Sequence, residues 1–155
     1  GAAAGGGMSL ALSADIVLAA ESARFTVAYT AIGFSPDGGS SWTLPRLVGP
    51  RRAAELMLFN EPLKPEAARE LGLVNRVVAD DALDAEADAL ARRLAAGPPL
   101  AQGAVKRLLR ETWARDMREQ LAEEARTIAE LAASPDGREG VAAFLDKRAP
   151  HWNTQ

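Results

Sequence analysis

The spacing of hydrophobic residues divides the chain near Gly38. Upstream, short β-rich runs lie between glycine turns. Residues 15–20 (DIVLAA) and 23–27 (ARFTV) read as strands separated by a turn at Glu21-Ser22. Residues 8–14 (MSLALSA) read as a short buried helix that starts directly after three glycines. The predicted order is glycine loop, helix, strand, strand, loop. A domain this apolar is not expected to begin at GAAAGGG without a preceding strand, so the opening reads as the middle of a fold.

Downstream the period becomes helical. SSWTLPRLVG (40–49) predicts a short helix stopped by Gly49, with its second half interrupted at Pro45. PRRAAELMLF opens on a proline at a helix-start position and ends at Asn60; PEAARELG repeats the device and ends at Gly72. LVNRVV (73–78) alternates as a strand. In residues 81–96, Leu83, Ala87, Leu90, Ala91 and Leu94 recur at helical spacing. After Gly97-Pro98-Pro99, three more helices are expected over 100–112, 116–132 and 137–148, the last following a turn at Ser134-Pro135-Asp136. No long linker, low-complexity tract or fixed-period repeat interrupts this order.

Composition narrows the class. A 155-residue chain suits one domain, able to bury roughly two-thirds of its unfolded surface. Hydrophobic residues at 48% and charged residues at 25% are the balance of a soluble globular protein. A net charge of -3 and a pI near 5.3 argue against a nucleic-acid or acidic-membrane partner. Without cysteine there is no disulfide framework and no thiolate chemistry, and the single histidine, His151, rules out a histidine metal cluster. The best apolar run, 10–20, is broken by Asp15 and too short to span a bilayer, and the first twelve residues lack the basic start of a signal peptide. A cytoplasmic protein is expected.

Two stretches carry candidate chemistry. Gly5, Gly6 and Gly7 precede a helix, where bare backbone N–H groups meet the positive end of the helix dipole. A Walker-type loop fails because Met8 fills the lysine slot, and a dinucleotide fingerprint fails because Leu10 replaces its third glycine. An oxyanion hole and a plain tight turn both remain. Gly7-Met8-Ser9-Leu10-Ala11 nearly matches a nucleophile elbow, but no strand precedes Ser9 and the base would have to be His151. The second stretch is SPDGGSSW (35–42), where Asp37 follows a proline, precedes two glycines and lies downstream of Ala31-Ile32-Gly33-Phe34. Pro-Asp-Gly is good turn chemistry; it is also a way to offer a carboxylate to a closely approaching substrate.

Taken in order, GAAAGGGMSLALSADIVLAA, ARF, AIGFSPDGGSSWTLPRLVG, ARELGLVNRVV and GREGVAAFLDKR resemble the crotonase superfamily of acyl-CoA enzymes, the enoyl-CoA hydratases and isomerases. The resemblance covers essentially all 155 residues. It implies an α/β fold, a partial spiral of ββα turns over residues 1–80, followed by a helical trimerisation region over 81–155. It also implies that two backbone N–H groups stabilise a thioester enolate. One belongs to Gly6, the other to an upstream alanine-containing loop absent here, so the chain is expected to be a fragment or a truncated product.

Family hydratases place glutamates where this chain has Ser9 and Tyr29, which makes simple hydration an unexpected reaction. Asp37 instead coincides with the acid after proline in family isomerases. The resemblance therefore implies an isomerase that shifts a double bond, with Asp37 as proton shuttle and Gly6 as oxyanion donor. Gly5, Gly7, Tyr29, Phe34 and Gly38 would line the acyl group, Tyr29 with its hydroxyl as a second donor. Phe34 would give Asp37 an apolar setting that raises its pKa. Phe144 and Lys147 match residues that approach coenzyme A. No separate cofactor or metal is implied, because coenzyme A is part of the acyl-CoA substrate. A homotrimer or hexamer is expected. Two alternatives stand beside this: an aryl-CoA dehalogenase with Asp37 as nucleophile, and a truncated, non-catalytic acyl-CoA-binding paralogue. Trp42 is expected in the helix-packing core, and Arg51, Arg52, Glu123 and Glu124 on solvated helix faces.

Overall fold

The computed structural model describes residues 1–152 and divides into two compact units, 1–88 and 89 onward. The last three positions of the region assigned to helical assembly lie outside the described residues. In the first unit the strands are β1 (Ala2–Ala4), β2 (Leu18–Ala20), β3 (Arg24–Thr26) and β4 (Arg76–Val78). The helices are α1 (Gly6–Leu12), α2 (Ser40–Val48), α3 (Pro50–Phe59) and α4 (Pro65–Glu70). α5 (Leu83–Ala95) crosses from the first unit into the second.

The opening was expected as a glycine loop; within it Ala2–Ala4 form a strand ahead of the three glycines. β1 pairs in parallel with β3, Ala2 opposite Arg24 and Ala4 opposite Thr26. Three alanines carry no strand signal of their own; pairing with Phe25 and its neighbours imposes it. β2 and β3, adjacent in sequence, belong to different sheets, since β2 pairs in parallel with β4. All of the sequence-predicted strands are shorter than their hydrophobic runs, ending where the ladder partner ends. Asn75 extends the β2–β4 ladder: its Oδ1 accepts from Val17 N (2.7 Å) and its N–H donates to Val17 O (2.9 Å).

The core of this unit gathers Met8, Phe25, Val27, Leu44, Leu56 and Leu73. Each such side chain contributes roughly 1.5–3 kcal/mol by leaving water. α1 places Met8 and Leu12 one turn apart on that core, with Ser9 beside them. Pro45 does not interrupt α2, which runs unbroken to Val48. The lost N–H removes one ladder bond, while Leu44 on the same turn is fully buried. Trp42 is not core either: it is 50% exposed, with the Arg46 guanidinium stacked 3.9 Å above its ring.

The second unit holds α6 (Pro99–Glu111), α7 (Met117–Ala133) and α8 (Pro135–Leu145). α7 starts on a capping box, Asp116 Oδ1 accepting from Glu119 N (2.8 Å) while Glu119 Oε2 accepts from Asp116 N (3.1 Å). Ser134-Pro135-Asp136, expected as a turn, is the start of α8. Ser134 Oγ accepts from Gly137 N (3.0 Å), and Pro135 takes the first helical position, where its missing N–H has no cost. Glu123 is not a solvated side chain as expected: it is largely covered and hydrogen-bonded by Arg126, which holds its carboxyl below the usual range. Arg51, Arg52 and Glu124 are exposed.

Candidate active site

The parallel register of β1 and β3 builds the site. Both strands end at the same edge, so Gly5-Gly6 and Val27–Tyr29 leave the sheet side by side. Gly5 N donates to Thr26 O (3.0 Å) and fixes that alignment. Gly5 then adopts φ +53, ψ -124, a conformation only glycine takes without strain, and the chain turns directly into α1. Its Cβ position would lie 3.9 Å from Val27 O, and that of Gly6 3.9 Å from the Tyr29 hydroxyl. Gly6, Gly7 and Met8 form the first turn of α1, where amides have no carbonyl one turn back to bond. The glycines are thus the helix N-terminus itself and not a loop ahead of it.

At the end of β3 the chain reverses through Ala28, which holds φ +63, the left-handed region that a side chain disfavours. Tyr29 follows, half-buried, and its hydroxyl donates to Asp37 Oδ1 at 2.5 Å. Asp37 is exposed on its loop, but its backbone is clamped. Its carbonyl accepts from Ser9 Oγ (3.2 Å), Ser40 Oγ (3.0 Å) and Ser40 N (3.1 Å). Both serines are about 5% exposed or less. Gly38, at φ +58, brings the loop so close to α1 that an added Cβ would lie 2.9 Å from Ser9 Cβ.

Gly5, Gly6, Tyr29, Asp37 and Gly38 are therefore brought together around Ser9. Gly7 is exposed, with no neighbour within 4 Å of its Cβ position. The apolar wall expected from Phe34 is not built within this chain, since that side chain is 65% exposed. Tyr29's hydroxyl is committed to Asp37. Ser40 was missed by sequence reasoning, although a serine opening a helix after two glycines is an ordinary N-terminal signal. Ala28 left no signal at all.

Among the described residues Ser9 is not placed as a hydrolase nucleophile. Ser9 Oγ meets Gly5 O (3.3 Å), Asp37 O and the Tyr29 hydroxyl (3.3 Å), each an oxygen and none a base poised to deprotonate it. His151 belongs to the second unit, where its backbone N–H donates to Glu139 (2.8 Å). Phe144 and Lys147 also lie there, at the end of α8; Phe144 is 82% exposed and Lys147 takes a left-handed turn at φ +53. Among the described residues, no group of three or more His, Cys, Asp or Glu is placed to hold a metal ion, and no helix is long and apolar enough to cross a membrane.

Chemically, the first unit sets a carboxylate of fixed backbone beside the free amides of a helix start. Comparison with known proteins gives this arrangement a context. A probable enoyl-CoA hydratase of Rhodobacter capsulatus is 47% identical over 152 residues, 98% of this chain and 59% of the relative. The 1,2-epoxyphenylacetyl-CoA isomerase of Escherichia coli is 43% identical over 153 residues, 98% of this chain and 58% of the relative. Among solved structures, an enoyl-CoA hydratase subunit from Geobacillus kaustophilus superposes with a TM-score of 0.96 at 37% identity, covering 100% of this chain and 60% of that one. The chain thus spans about three-fifths of the length of the proteins it matches. The Enoyl-CoA hydratase/isomerase profile matches residues 1–155, and with the fold shared throughout, the chain belongs to that family and carries the crotonase fold.

Proposed function

We propose that the protein isomerises an enoyl-CoA thioester, moving a double bond toward the carbonyl through a dienolate, with Asp37 carrying the proton. The thioester oxygen accepts from Gly6 N–H and from a second donor that precedes Gly1. Asp37, ionised, removes a proton from the α carbon as the electron pair passes into the conjugated enolate. It then returns the proton to the γ carbon, and the pair collapses into the new double bond. Coenzyme A arrives on the substrate, so no further cofactor takes part.

The observation that carries this reading is the Tyr29–Asp37 hydrogen bond at the edge shared by Gly5 and Gly6. It supports a carboxylate held next to an amide that accepts developing negative charge. The E. coli relative named an isomerase is in keeping with it; the Rhodobacter relative carries a hydratase name. Against hydration stand the residues themselves, because neither Ser9 nor Tyr29 offers a second carboxylate to activate water. Assembly as a homotrimer or hexamer is part of the same proposal. It is supported by the many large apolar side chains the second unit exposes, among them Leu109, Trp113, Met117 and Ile128.

Asp37→Ala, in the protein expressed from its complete gene, abolishes the double-bond shift and leaves acyl-CoA binding nearly unchanged. A fully active variant overturns the assignment. In single turnover in oxygen-18 water, label entering Asp37 would transfer the reading to a nucleophilic, dehalogenase-type reaction.

A further inference from the structure

We infer that Tyr29 is a positioning residue that reserves one oxygen of Asp37, so that proton removal and return take place on the other; the inference rests on the isomerase reading above. Asp37 is exposed, between Pro36 and two glycines at φ +58 and +80, a place where a carboxylate would ordinarily sample several rotamers. Two separate devices remove that freedom. Ser9 and Ser40 clamp the main chain through its carbonyl. Among the described residues Tyr29 alone hydrogen-bonds the side chain, its phenol proton on Oδ1.

The phenol is itself fixed. Its ring stands against the Gly5 turn, with Cζ 4.0 Å from that residue's Cβ position, and its oxygen lies 3.3 Å from Ser9 Oγ. With the tyrosine proton given to Asp37 Oδ1 and the Ser9 proton to Asp37 O, the two hydroxyl oxygens stand in contact without a proton between them. Oδ1 thus carries the phenol hydrogen bond, and Oδ2, which accepts none among the described residues, is the oxygen that receives the substrate proton. A carboxyl pinned by one oxygen cannot exchange its two oxygens by rotating without breaking that bond. The proton taken at Oδ2 is therefore held on the substrate side until it returns to the γ carbon. No other reactant is needed: the carboxylate becomes a carboxylic acid and then a carboxylate again.

The test follows deuterium placed at the α carbon of a 3-enoyl-CoA. Wild type carries part of the label to the γ carbon. Tyr29→Phe lowers kcat by roughly tenfold to a hundredfold, the loss of one hydrogen bond to a charged group, leaves KM unchanged, and loses label to water. Wild-type kcat and label retention in Tyr29→Phe, with Asp37→Asn inactive, overturns the positioning role while sparing the isomerase reading. An active Asp37→Asn overturns the reading itself. Because Tyr29→Phe also removes a polar contact of the turn, 3-fluorotyrosine placed at position 29 gives an independent measurement in a protein of native size. Its fluorine resonance moves when Asp37 is changed to Asn in the same protein; an unmoved resonance overturns the inference.

Discussion

A Cβ built on Gly38 would stand 2.9 Å from the Cβ of Ser9, closer than real side chains approach. The Asp37 loop and α1 are in contact only because residue 38 has no side chain. Its φ of +58 imposes the same choice for a separate reason. Gly38→Ala therefore meets both a clash and a strained backbone, and costs about 2 kcal/mol in urea denaturation. Its activity falls further than its stability, since the displaced loop carries Asp37. Gly33→Ala, also at positive φ but with open space around its Cβ position, costs about 1 kcal/mol and leaves activity nearly intact.

Ala28 holds a left-handed conformation without being glycine. Replacing it with glycine relieves strain of about 1–2 kcal/mol and adds about 0.5–1 kcal/mol of unfolded-state entropy. Ala28→Gly is accordingly neutral or slightly stabilising. Ala53→Gly, in the buried interior of α3, costs about 1 kcal/mol or more. Chemical denaturation of the pair separates the two outcomes.

The capping box at the start of α7 is a third measurable feature. Asp116→Ala removes the acceptor for Glu119 N and costs about 1 kcal/mol by thermal unfolding. Asp116→Ser keeps an acceptor oxygen and recovers most of that loss.

Glu139 ties the end of the second unit together. Arg148 hydrogen-bonds its carboxylate, the His151 backbone N–H adds a second bond, and together they hold its pKa at about 2 against an ordinary 4.5. A depressed folded-state pKa means stability that is fully present above pH 4.5 and is lost as pH falls toward 2. Glu139→Gln removes that contribution. Melting temperatures of wild type and variant differ most above pH 5 and converge near pH 2; a constant difference across that range would contradict the assignment.

Helices were legible because their signals are local. Pro50 and Pro65 at first helical positions, Gly49 and Asn60 at ends, and the periodic apolar residues of α6 and α7 each lie within one element. β1 was not legible, because Ala2–Ala4 become a strand only through β3, more than twenty residues away. Trp42 misled for a related reason. A large aromatic predicts burial, but its fate depends on which face α2 turns toward the core, and Leu44 took that face. The pairing of Gly5-Gly6 with Asp37 was expected from resemblance alone. The agents that hold it, Tyr29's hydroxyl, Ser9 and Ser40, are contacts across elements that no one-dimensional pattern records.

β2 finds its ladder partner only at Arg76–Val78, 58 residues further along the chain from Leu18 to Arg76. At a synthesis rate of about 5–20 residues per second, roughly three to twelve seconds separate the emergence of the two strands. During that interval the side of Leu18–Ala20 that β4 will cover is a nascent edge, open to chaperones and to wrong neighbours. The β2–β4 ladder consequently cannot close as Leu18–Ala20 leaves the ribosome; it waits for Arg76–Val78 to be made.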